Sequence, residues 1–309
     1  MRFLVLGAGG VGGYFGARLA ERGADVTFLL RPARAAQIAQ SGLVLRSPRG
    51  DYHGPVRVTQ TGDAMPEYDA VLLGCKAYDL AAAIDSIAGA IGPQTMVMPL
   101  LNGLAQYDLL KARFGAERVI GGIAHLAATL SPEGHILHLN ELHMFTFGEL
   151  VGGRSRRMDD LREAFAGVNA DIGYSEQIMQ DAWDKWVMLA TLAGMTCLMR
   201  AGVGDISATD DGEAVTRELY AECCALADAA RFPVSPERQS AALELLTRKN
   251  SSFSASMLRD IERGAPTEGS HVLGDMLSRA RRLSIATPVL RIAYAHVQAY
   301  EARRASYPR

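Results

Sequence analysis

Phe3-Leu-Val-Leu-Gly7-Ala-Gly9-Gly-Val-Gly12 is the stretch that decides the fold. The apolar run from Phe3 to Leu6 reads as a buried strand, and the residues after it fit G-x-G-x-x-G. Gly13 and Gly16 continue the small-residue pattern. From Tyr14 the chain reads as a helix, with Phe15, Leu19 and Ala20 at helical spacing, and Gly23 closes it. A second apolar run, Val26-Thr-Phe-Leu-Leu30, ends in Arg31. Strand, glycine turn, helix, strand is the context in which this motif signals dinucleotide binding. Gly7 permits the tight turn, Gly9 lets a pyrophosphate approach the backbone, and Gly12 lets helix and strand pack closely. Ala8, Gly10 and Val11 complete the loop, and the helix start offers free N–H groups and positive dipole to phosphates. A merely structural glycine turn has no reason to fall at the mouth of a βαβ unit.

Arg31 sharpens the cofactor. An NAD site usually ends its second strand in Asp or Glu, which binds the ribose 2′-hydroxyl. Here Arg31 stands at that place, with Arg34 soon after. A guanidinium suits a 2′-phosphate, so NADP (as NADPH) is expected over NAD.

A chain of 309 residues allows two domains. An apolar content of 49% and a charged content of 21% describe an ordinary globular protein. A net charge of −2 and the lack of a basic block argue against nucleic acid as a partner. Cys75, Cys197, Cys223 and Cys224 form no C-x-x-C pair, which suits a reducing cytoplasm. The apolar start breaks into glycines by Gly7, so no signal peptide is expected. The longest uncharged stretch, 186–199, falls short of the ~20 residues that span a bilayer, so no membrane partner is expected. Oligomeric state is left open, a homodimer included.

After Arg31, residues 33–40 read as a helix closed by Gly42, and 43–45 and 56–58 read as strands of a small ribbon. Residues 69–74 form a continuous apolar run, hence a buried strand. Cys75-Lys76-Ala77 follows it, then an alanine-rich helix over 80–90. Residues 96–101 are another strand, ending in Asn102-Gly103. Alternating strands and helices imply a parallel sheet, and ligands sit beyond the carboxyl ends of such strands. The glycine turn, Lys76 and Asn102 all fall at such ends. Antiparallel strands are expected over 120–130, 136–139 and 144–147. His135, His138 and His143 there read as polar faces of strands and loops, since no partner completes a metal spacing.

A helix over 155–165 and a crossing segment over 168–175 come next. The domain boundary is placed there, with residues 1–167 as the nucleotide-binding domain and 168–309 as a helical substrate domain. Helices are expected over 176–199, 212–230, 236–247, 253–263, 267–282 and 288–304. Pro233, Pro266 and Pro288 sit near starts. Such a pair of domains is expected to leave a substrate cleft between them.

Lys185 lies in Trp183-Asp-Lys185-Trp, before a helix that is apolar on nearly every face until Arg200. It shares a stripe with Ala182, Leu189 and Leu192. A lysine there snorkels, beside Asp181 for example, or projects into a cavity as a functional ammonium. Glu268 follows Pro266-Thr267 at a helix start, where the dipole alone favours a carboxylate. The residues by themselves leave both choices open.

The ordered set Gly7-Ala-Gly-Gly-Val-Gly12, Leu30-Arg31, Cys75-Lys76-Ala77, Leu101-Asn102-Gly103, Ala124-His125-Leu-Ala127, Trp183-Asp-Lys185-Trp, Ser256-Met-Leu-Arg-Asp260 and Pro266-Thr-Glu268 resembles the ketopantoate reductase (2-dehydropantoate 2-reductase) family from end to end. The resemblance implies an α/β fold class: a Rossmann domain followed by an all-helical domain like that of 6-phosphogluconate dehydrogenase. It implies that Arg31 and Lys76 help hold NADPH, and that Ala127 lines the cofactor site. It puts Asn102 between nicotinamide and substrate, makes Lys185 the catalytic acid, and gives Ser256 the substrate carboxylate. Glu268 would fix the substrate hydroxyl or the nicotinamide ribose. The implied substrate is a small 2-oxo acid.

Three positions depart from the family pattern. Where its lysine helix presents asparagines one and two turns on, this chain has Leu189 and Ala193. A third asparagine, before a glycine, is replaced by Val203 before Gly204. The polar grip on ketopantoate is thus largely missing. A dehydrogenase of another oxo acid, hydroxy acid or opine-type substrate, and a non-catalytic NADP(H) sensor, stand as alternatives.

Overall fold

The computed structural model describes residues 1–63 and 65–306. The chain divides into two compact units. The first comprises Met1–Leu101 and Gln106–Met179, and the second comprises Asn102–Ala105 and Gln180–Arg309.

The first unit begins with β1 (Arg2–Leu6), α1 (Gly10–Glu21), β2 (Asp25–Leu29), α2 (Pro32–Ser41), β3 (Leu43–Arg46), β4 (Tyr52–Gly54) and β5 (Arg57–Thr59). It continues through β6 (Ala70–Leu73), α3 (Leu80–Ser86), β7 (Met96–Pro99), α4 (Ala105–Phe114), β8 (Ile120–Leu130), β9 (Ile136–Glu149), α5 (Arg156–Ala164) and β10 (Asp171–Tyr174). Its main sheet is wholly parallel, in the order β5-β2-β1-β6-β7. The central strands are covered on both faces, so Phe3 to Leu6 and Ala70 to Leu73 are buried without alternation. Tyr14, Phe15 and Leu19 of α1 complete this core with Phe145, Phe147 and Phe165.

The second sheet runs β10-β9-β3-β4, with β8 antiparallel to β9. Here the structure departs from the sequence reading. The expected ribbon is split: β3 pairs with β4, whereas Val58 belongs to β5 and joins the main sheet beside β2. Residues 136–149 form one strand rather than two. The crossing segment is β10, which pairs in parallel with β9. Those hydrogen bonds keep it in the first unit, so the division falls after Met179 rather than at residue 167. His138 and His143 are buried rather than on polar faces. Tyr14 Oη and His143 Nδ1 are 2.8 Å apart, and His138 bonds Ser47 Oγ and the Leu142 carbonyl. Burial holds both imidazoles below their usual range.

The second unit is helical: α6 (Ile178–Met199), α7 (Val203–Ile206), α8 (Gly212–Ala229), α9 (Pro236–Leu246), α10 (Ser256–Glu262), α11 (Asp275–Arg282) and α12 (Pro288–Ser306). The span expected as one helix over 267–282 is instead a π-helical turn, Ser270–Gly274, running into α11. Among the described residues, no helix is long and apolar enough to cross a membrane.

Candidate active site

In the first unit, a cavity of about 430 Å³ opens at the carboxyl ends of β1, β2 and β6. Its walls include Gly7, Gly9, Arg31, Arg34, Lys76 and Asp79. Gly7 has φ +85°, a conformation that side chains rarely adopt. A Cβ on Gly12 would lie 2.7 Å from the Gly7 carbonyl oxygen and 3.0 Å from Gly74 Cα. Gly9 faces open space and caps α1 with no side chain in the way, and the first turn carries no acidic residue. Bare N–H groups, positive dipole and three cationic side chains suit the phosphates of a dinucleotide. Gly10 packs on β8, where its Cβ would meet the Ala128 carbonyl at 2.6 Å, and Val11 is half-buried.

Gly12→Ala tests this cradle. The new methyl meets backbone on two sides, so α1 must shift, at a cost of about 1–3 kcal/mol. We expect a Tm lower by several degrees and weaker binding of a nicotinamide dinucleotide. Unchanged values of both would show the turn to be looser than described.

Arg31 sits at the start of α2 with Pro32 next, the position where proline is tolerated. Its side chain is exposed, and its Nη2 lies 2.8 Å from Asp79 Oδ1. That carboxylate raises the Arg31 pKa further. Asp79 comes from the turn after Lys76 and is a wall residue the sequence reading missed. Arg34 turns inward: its Nη2 donates to the Ala8 carbonyl at 3.1 Å, bracing the glycine turn. Lys76 precedes a short 3₁₀ turn, Ala77–Asp79. Ala127 does not line the cavity. It falls at a register shift between β8 and β9, and Leu130 of the same strand reaches the wall instead.

The second unit contains Asn102, Lys185 and Glu268, and the charges of Lys185 and Glu268 act on each other. Asn102 follows β7 and belongs to the helical unit. Lys185, on α6, is half-buried. Burial lowers its ammonium to about 8, opposed by the Glu268 carboxylate. Asp181 and Asp184 are instead bonded to Arg238, at 2.9 and 3.1 Å. The carboxylate whose charge acts on Lys185 is Glu268, from a segment far along the chain. Glu268 is fixed by its neighbours. The Thr267 N–H donates to Glu301 Oε1 on α12, and the Glu268 carbonyl accepts from His271 and Val272 N–H. Trp186, next to Lys185, donates its indole N–H to the Val272 carbonyl at 3.0 Å.

Leu189 is half-buried, while Ala193 and Val203 are buried. Thr191 and Thr196 offer no free donor, because their hydroxyls bond the Val187 and Leu192 carbonyls of the same helix. Val203 packs by backbone on the 251–253 segment, its N–H bonding the Phe253 carbonyl. Ser256 opens α10 and is exposed.

The family profile described as "Ketopantoate reductase PanE/ApbA" matches residues 3–152, and its C-terminal counterpart, "Ketopantoate reductase PanE/ApbA C terminal", matches residues 177–301. The chain belongs to the ketopantoate reductase family. It is 39% identical to the Bacillus subtilis (strain 168) protein described as "Uncharacterized oxidoreductase YkpB", over 98% of this chain and 100% of that one. It is 27% identical to the 2-dehydropantoate 2-reductase of Mesorhizobium japonicum, covering 99% and 100%. Among solved structures, it resembles the 2-dehydropantoate 2-reductase of Methylococcus capsulatus with a TM-score of 0.89, 27% identity and coverage of 100% and 99%. It shares its fold with a D-mandelate dehydrogenase held with NADH and anilino(oxo)acetate, with a TM-score of 0.89, 19% identity and coverage of 99% and 100%. The protein is thus an oxidoreductase of this family, with a parallel-sheet α/β unit followed by a helical one.

Proposed function

We propose that this family member is an NADPH-dependent reductase of 2-oxo acids. The observation that supports it most is the Lys185 ammonium, lowered by burial and facing Glu268 in the unit that also holds the Asn102 turn. When bound, NADPH supplies the hydride that adds to the ketone carbon. Negative charge then builds on the carbonyl oxygen. Lys185 stabilises that charge and gives up its proton, so the product is a 2-hydroxy acid. An ammonium near 8 is protonated at neutral pH yet releases its proton more readily than an ordinary lysine. Glu268 holds Lys185 and the new hydroxyl, and Asn102 orients the carbonyl. Ser256 receives the substrate carboxylate. In the first unit, Arg31 and Lys76 take the cofactor phosphates, and the turn from Gly7 to Gly12 takes the pyrophosphate.

The tail of the substrate is proposed to be apolar. Leu189, Ala193 and Val203 present no donor or acceptor, and the nearby threonines are bonded to their own helix. A hydroxyl buried against such a wall loses about 1–3 kcal/mol. An alkyl group gains about 0.8 kcal/mol per methylene. Trimethylpyruvate, which is ketopantoate without its hydroxyl, is therefore expected to have the higher kcat/KM with NADPH. A panel of 2-oxo acids measures this directly. If ketopantoate wins by about tenfold or more, other groups supply the missing contacts. If no 2-oxo acid is reduced, the non-catalytic sensor becomes the better reading.

A further inference from the structure

His271 lies in the π-helical turn, three residues beyond Glu268. Turns of this winding are rare and recur at functional sites. The ring hydrogen-bonds the backbone of Asn102. Its Cδ2 and Nε2 edge lies over Gly103, where a Cβ would come within 3.1 and 3.5 Å. Gly103 has φ +87°, so a side chain there is strained as well as crowded. Glu268, Asp275 and Arg279 face the same ring electrostatically. Arg279 is paired with Asp275 at 2.9 Å and sits over the Trp186 ring. Trp186 in turn holds the Val272 carbonyl. A continuous chain of contacts therefore runs from the helix turn bearing Lys185, through residues 271 and 272, to the Asn102 backbone.

We propose that His271 is a positioning residue for the reduction: its imidazole N–H fastens the Asn102–Gly103 turn to the Glu268 segment, so that Asn102, Glu268 and Lys185 meet one substrate carbonyl in register. This rests on the roles proposed above for Asn102 and Lys185. The ring bonds the backbone of Asn102, so it leaves the Asn102 amide available to the substrate. Glycine at 103 is what allows the ring to approach so closely.

The test uses the full chain with NADPH and trimethylpyruvate. His271→Phe keeps a ring over Gly103 and removes the donor. It is expected to lower kcat about 10–100-fold, the scale of an ångström-sized misplacement, with the Kd for NADPH and the Tm nearly unchanged. His271→Gln and His271→Asn restore a side-chain N–H near one ring nitrogen or the other, and one of them should recover most of the loss. Gly103→Ala, which pushes the ring off the turn by another route, should reproduce the His271→Phe defect. Wild-type kcat in His271→Phe overturns the proposal, as do glutamine and asparagine variants both as impaired as the phenylalanine one. A Tm and NADPH affinity that collapse together with kcat would make the histidine merely structural. Lys185→Ala is run alongside: if it turns over normally, the acid assignment fails, whatever His271 does.

Discussion

Lys185→Ala is expected to lower kcat by roughly 10²–10⁴-fold, the usual contribution of a positioned general acid. Folding should survive, since alanine is the best helix former and the site is in the interior of α6. NADPH affinity should change little, because the cavity lined by the glycine turn belongs to the other unit. The pH profile gives a second reading. Burial sets the ammonium near 8, and the reduction consumes its proton. Turnover should therefore be full below about pH 8 and fall as the pH rises through that value. The alanine variant should lose this limb. An unchanged kcat, or a reduction rate that holds steady to about pH 10, would mean that the lysine does not give the proton.

Arg31→Ala is expected to weaken NADPH at least about tenfold and to leave NADH almost alone, as titration of cofactor fluorescence would show. A hydrogen bond between charged partners is worth about 1.5–3 kcal/mol, and about 1.4 kcal/mol is tenfold in affinity. In the structure Arg31 is paired with Asp79 at 2.8 Å. The arginine is largely exposed, and exposed pairs contribute at most about 1 kcal/mol, so a 2′-phosphate can displace the carboxylate at small cost. Without the guanidinium, Asp79 would face the phosphate directly and add repulsion. Equal affinity of the unmutated protein for NADPH and NADH would overturn the NADPH reading.

The glycine turn, the flanking strands and the long helices of the second unit were legible in the sequence, because each is written in local terms. Continuous apolar runs mark strands covered on both faces, and glycine spacing marks a turn that backbone geometry demands. Lys185 stood out as a charged residue at odds with its apolar surroundings, whereas Glu268 read as an ordinary first-turn glutamate, and the choice between snorkelling and pairing was not legible. It depended on where Glu268 arrives, from a segment far along the chain. The same holds for Asp79 against Arg31, for Val58 in the main sheet, and for β10 beside β9. Strand partners and ion pairs between distant segments carry no periodic signal. His271 left no mark at all, since a histidine three residues after a glutamate is ordinary until a π-turn and a side-chain-free Gly103 bring it to the Asn102 backbone. Local sequence patterns were enough for the glycine turn, the central strands, the long helices and the inventory of chemical groups. Only the tertiary structure decided which of those groups meet, and how far burial shifts a lysine, because both depend on desolvation and contacts that exist only once the chain has closed on itself.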